Sequence, residues 1–98
     1  MADNFFIGRC AVDLFIENSH SLKEKRRIVS SVKERLKNHY NVSVCEFGDL
    51  SLWQRAQLGI ITCANDKVKV DTVLKSVLKY LEKNHFISLL NFELQIIS

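Results

Sequence analysis

Hydrophobic periodicity changes four times along these 98 residues, and that pattern leaves few folds open. Residues 5–16 alternate: Phe6, Gly8, Cys10, Val12, Leu14 and Ile16 share one face, and that face carries no charge. Ser21-Leu22-Lys23-Glu24 then forms a capping box, with Ser21 as N-cap and Glu24 reaching back to its amide. It opens a helix to about Tyr40, in which Leu22, Val29, Val32, Leu36 and Tyr40 recur at helical spacing. Asn41 is the stop. Val42–Phe47 reads as a short strand, Gly48-Asp49 as a turn, and 52–64 as a longer strand with Gly59 at a bulge or close contact. Asn65-Asp66 caps a second helix, where Val70, Val73, Leu74, Val77, Leu78 and Leu81 make the cleanest 3–4 repeat in the chain. Asn84-His85 ends it, and Ile87–Ile97 alternates again, with Leu90, Phe92, Leu94 and Ile96 inward. The order β-α-β-β-α-β predicts an α+β, ferredoxin-like sandwich: a four-stranded antiparallel sheet, strand order 4-1-3-2, with two helices on one face. The whole chain, 1–98, forms one such domain.

An apolar content of 47% with 26% charged residues excludes disorder and fibrous folds. No apolar run approaches the roughly 18 residues of a membrane span, and the first residues lack the basic-then-apolar pattern of an export signal. The cytosol is the expected compartment, with no membrane partner. Cys10, Cys45 and Cys63 are odd in number and far apart, which argues against a disulfide framework. Each lies in an apolar strand segment and reads as a small core residue. His20, His39 and His85 fall at element ends, and no spacing suited to a metal occurs. Nothing calls for a cofactor.

The net charge of +3 sums two opposed layers. Helix 21–40 carries Lys23, Lys25, Arg26, Arg27, Lys33, Arg35 and Lys37 against two acids, a balance of +5. Helix 67–84 carries five lysines against two acids, a balance of +3, and everything else is −5. Polar sides of both helices face solvent together in this fold, so one side of the molecule is basic. Such a layer attracts polyanions through long-range steering and counterion release. Cations in the first turn of a helix oppose its dipole, at a few tenths of a kcal/mol each by rough estimate. The cluster Lys23-Glu24-Lys25-Arg26-Arg27 therefore points to a use other than stability.

The open sheet face is the rival surface. Its two central strands would present Arg9, Asp13, Phe15, Trp53, Arg55 and Gln57, an arrangement on which RNA-recognition modules stack bases. The aromatic signature of those modules is absent. Phe5, Ile7, Phe15, Ile61, Leu89 and Ile97 make the face apolar enough for a protein contact, a homodimer among the choices. Arg9 or Arg55 would otherwise pair with Asp13 or Glu93 across strands, and Glu46, Asp49 and Arg55 would tie the hairpin together.

Three segments, Ser19-His20-Ser21-Leu22-Lys23-Glu24-Lys25-Arg26, Val42-Ser43-Val44-Cys45-Glu46 and Trp53-Gln54-Arg55-Ala56-Gln57-Leu58-Gly59, resemble the YlxP-like family of small bacterial proteins. Its pattern reads S-L-K-x-K-R, V-x-E and D-x-x-x-W-Q-R-A, and Asp49 supplies the last acid. The resemblance implies a ferredoxin-like fold and a gene neighbourhood shared with translation factors. It implies no demonstrated activity. Acylphosphatases share the topology but need a glycine-rich phosphate loop after the first strand, where this chain has Glu17-Asn18-Ser19-His20-Ser21. His20 beside Ser19 and Ser21 is the one pairing that resembles a dyad, and adjacent turn residues seldom make one. No catalytic residue is assigned. The expected function is non-enzymatic: phosphates of structured RNA or of a ribosomal subunit bound by Lys23, Lys25, Arg26, Arg27, Lys33 and Lys37, with Trp53 and Arg55 as sheet-side candidates.

Overall fold

The computed structural model describes residues 4–97. Its elements are β1 (Phe6–Phe15), α1 (Leu22–His39), β2 (Ser43–Phe47), β3 (Arg55–Ala64), α2 (Lys67–Lys83) and β4 (Ser88–Ile97). One antiparallel sheet runs β2-β3-β1-β4, which is the expected order read from its other edge. Alternation decides which side of the sheet is dry. Cys10, Val12 and Leu14 of β1 and Ala56, Leu58 and Ile60 of β3 are buried, in one cluster with Val29, Val32 and Leu36 of α1 and Val70, Leu74, Val77 and Leu81 of α2. Fully burying each such aliphatic side chain is worth about 1.5–3 kcal/mol, so this single face supplies most of the driving force. At Gly8 a Cβ would meet Val70 Cγ1 and Leu74 Cδ1, so the missing side chain is what lets α2 lie directly on β1.

Ser21 caps α1 as expected, its hydroxyl accepting from the Glu24 amide at 3.1 Å. Glu24 reaches one residue further back than the motif predicts and accepts from the His20 amide at 2.8 Å. Asp66 caps α2 by accepting from the Val68 amide at 2.8 Å.

Five details depart from the sequence reading. A register shift between Asp13 and Leu14 aligns Leu14 with Leu89, so Leu89 turns inward and Leu90 is left exposed. Beyond the shift Leu94 and Ile96 pack on the core as expected, but Phe92, also expected inward, is 48% exposed on this edge strand. Gly59 is in regular register with both Ala11 and Cys45, so it is a close contact and not a bulge. Trp53 precedes β3 instead of lying in it. Of the cysteines only Cys10 is in the core; Cys45 and Cys63 are exposed, because odd-numbered positions of β2 and β3 face away from the helices.

Candidate nucleic-acid interface

Positions along α1 separate its cations into two environments. The apolar stripe Val29, Val32 and Leu36 faces the sheet, and position 25 lies one turn before it on the same side. Lys25 is therefore drawn inward and is only 1% exposed. Its ammonium lies 2.8 Å from Glu46 Oε2 on β2 and donates to the Leu50 carbonyl at 3.1 Å. This overturns the assignment of Lys25 to phosphate contact: its charge is spent inside the fold, and the basic layer is one cation poorer on its surface.

Lys23, Arg26, Arg27, Arg35 and Lys37 are exposed and Lys33 is half-buried. Among the described residues none of the six forms an ion pair. On α2 the exposed lysines include Lys75, which pairs with Asp71 at 2.9 Å, and Lys83, which is unpaired among the described residues. Between the helices lies a groove of about 380 Å³ whose lining includes Arg27, Arg35, Lys83 and His85. Arg35, Lys83 and His85 were not among the predicted site residues. The signal was available in part: Arg27, Ser31 and Arg35 stand four apart beside Ile28 and Val32, a polar stripe flanking an apolar one.

The β2–β3 loop, at the same end of the sheet as the turn after α2, is built around Lys25. Gly48 takes a positive φ of 81° at the start of the β2–β3 loop, where glycine is the low-strain choice. Asp49 then accepts from the Ser51 amide at 3.0 Å and the Ser51 hydroxyl at 2.6 Å. Those bonds hold its carboxyl below the usual aspartate range, with a smaller help from the Lys25 charge. The Gln54 carbonyl accepts from the Ile16 amide at 2.9 Å, and its side chain donates to the Glu17 carbonyl at 3.0 Å. Arg55 pairs with Asp13 at 2.6 Å across the open sheet face, the cross-strand alternative foreseen for it. Glu46, Asp49 and Arg55 thus each take a different partner and do not tie one another. Trp53 stands 54% exposed on this clamped loop, together with Leu50 and Leu52.

Ser19 is buried and donates to the Ser21 carbonyl at 3.1 Å, while His20 contributes its backbone amide to Glu24. The hydroxyl and imidazole do not meet. Burial pushes the Cys10 thiol above its ordinary pKa, the opposite of what a nucleophile needs. Among the described residues no three His, Cys, Asp or Glu side chains gather as metal ligands. No helix there is long and apolar enough to cross a membrane.

The three motif segments therefore converge: Lys25, Glu46, Asp49, Gln54 and Arg55 all act around one loop. Residues 7–94 match the model of a family described as a protein of unknown function, DUF503. The chain belongs to the DUF503 family. It is 33% identical over 76 residues to the uncharacterized protein YlxP of Bacillus subtilis (strain 168), covering 78% of this chain and 83% of that one. Among solved structures, the de novo designed protein Foldit4 matches with a TM-score of 0.57 at 12% identity, over 97% of this chain and 98% of its own. A hydantoinase/carbamoylase family amidase from Burkholderia ambifaria matches with a TM-score of 0.51 at 6% identity, over 98% of this chain and 28% of its own. At such identities the likeness is one of fold alone. The DUF503 chain shares its layers with a designed protein and with part of an amidase, so its function has to be argued from its own surface.

Proposed function

We propose that this DUF503 chain is a non-enzymatic cytosolic module that binds phosphates of structured RNA, on a ribosomal subunit, through the outer face of its helices. The observation that carries the reading is the set of exposed α1 cations, Lys23, Arg26, Arg27, Arg35 and Lys37, without ion-pair partners among the described residues. Unpaired like charges on one helix repel one another and are favourable only beside an anion. Lys25 supports the same reading by contrast, because the one α1 cation that the fold needs has its own carboxylate. Phosphate contacts of this kind position without reading sequence, so binding should be steeply salt-dependent and tolerant of base changes. Sedimentation of a cell lysate tests it: the protein should travel with ribosomal subunits at low salt and leave them at high salt. Free protein at the top of the gradient at every salt concentration would refute the reading.

A second reading is contact with a protein, favoured by one observation. Leu50, Leu52 and Trp53 are each about half exposed on a loop held from both sides, a costly display unless something covers it. On the open sheet face the Asp13–Arg55 pair joins the two central strands near their loop end, so a homodimer covering that end would have to bury the pair.

A further inference from the structure

Phosphate binding alone does not explain the floor of the groove between α1 and the end of α2. Ile28 and Val32 form one apolar wall. Phe86, in the turn after α2, stands 63% exposed at the groove's margin. An isolated exposed phenylalanine needs no explanation, but this one shares the groove with a second aromatic, Tyr80. The Tyr80 hydroxyl itself is shielded from the groove, which leaves its ring as lining. Around these groups stand Arg27, Arg35 and Lys83.

Apolar walls, an exposed aromatic ring and a cationic rim together suit a flat heteroaromatic ring attached to a phosphate. A base stacks on a side-chain ring without regard to sequence. The phosphates on either side would meet guanidinium groups that bind them in forked pairs. At about 380 Å³ the groove is at the small end of ligand pockets, roughly 300–1,000 Å³, so it admits one nucleotide and not a stack. A base paired within a duplex cannot enter it, because its faces are covered by its neighbours.

We infer that the groove captures a single unstacked base of an RNA bulge or loop, with Phe86 as the stacking surface and Arg27 and Arg35 on the flanking phosphates. This rests on the RNA reading above and narrows it, from any phosphate backbone to RNA with an extruded nucleotide.

Two fluorescein-labelled hairpins, one fully paired and one with a single bulged adenosine, separate the two levels by anisotropy titration at low salt. The bulged hairpin should bind about tenfold more tightly. Phe86→Ala should bring the ratio of the two affinities close to one. Tyr80→Phe, which removes an oxygen shielded from the groove, should leave the ratio unchanged. Equal binding of both hairpins by the unaltered protein, or a ratio that survives Phe86→Ala, overturns base capture and leaves phosphate binding standing. The groove would then suit an acidic, apolar peptide better. Failure of both hairpins to bind removes base capture and the RNA reading together.

Discussion

Lys25 and Arg35 lie on the same helix, carry the same charge and meet opposite surroundings. Lys25 is enclosed between α1, β2 and the β2–β3 loop, within reach of Glu46 and the Leu50 carbonyl. Arg35 stands two to three turns further along, exposed beside a groove, with no ion-pair partner among the described residues. A charge sum over the helix counts them equally. The difference shows that a basic helix can hold an internal strut and exposed, unpaired cations at once, and that only the surroundings tell them apart. Variants at the two places should therefore fail in different ways.

The largest effect is expected at the strut. Lys25→Met keeps most of the aliphatic stem but leaves the Glu46 carboxylate with no counter-charge in its pocket. Breaking a buried pair from one side costs about 3–5 kcal/mol, and the 17% exposure of Glu46 places this one at the lower end. The melting temperature should fall by more than about 10 °C in thermal unfolding. Adding Glu46→Leu should restore most of the loss, since a matched apolar pair replaces the ionic one. A single variant as stable as the unaltered protein would mean that Lys25 is not a strut.

A smaller loss belongs to Gly48→Ala. The φ of 81° costs a residue with a Cβ about 1–2 kcal/mol, and the new methyl would also press on the Gln57 side chain. Urea unfolding should show the shift in midpoint while the salt dependence of any RNA binding stays unchanged, which keeps the loop and the helix groove separable.

The smallest effect is a pH response of the same loop. Ser51 hydrogen bonds lower the Asp49 pKa in the folded chain, so their contribution is present above the unfolded value of 3.8 and is lost as pH falls through the folded one. Trp53 is the only tryptophan and lies four residues away, so its emission reports the loop. Acidification below about pH 4 should shift that emission in the unaltered protein. In Asp49→Ala the step should be missing.

Periodicity made the fold legible. A two-residue alternation and a 3.6-residue repeat cannot be satisfied by one element, so the six segments and their order followed from where apolar residues recur. The capping residues Ser21 and Asp66 were readable for the same local reason. Cation roles were legible only as a total. Position 25 follows the buried stripe of α1, yet a lysine there suggests solvent until the carboxylate of Glu46 is known to approach from β2, and sequence contains no such distance. The inversion of Leu89 and Leu90 depends on a one-residue bulge, which changes the facing of the residues on one side of it and leaves no mark in composition. The groove was hidden because Tyr80 and Phe86 lie in and just after the last turn of α2 while Arg27 and Arg35 stand on α1.

Salt dependence of binding to purified ribosomal subunits, measured side by side for two variants, tests the division of labour along α1 most directly. Arg26→Ala, Arg27→Ala and Arg35→Ala combined should flatten the slope of log affinity against log salt by about two to three, the value for three lost phosphate contacts. The Lys25→Met, Glu46→Leu double variant should keep the slope of the unaltered protein. A triple variant with full slope and affinity would contradict phosphate binding by the helix layer, and a double variant that alone loses binding would place the contact at the loop instead.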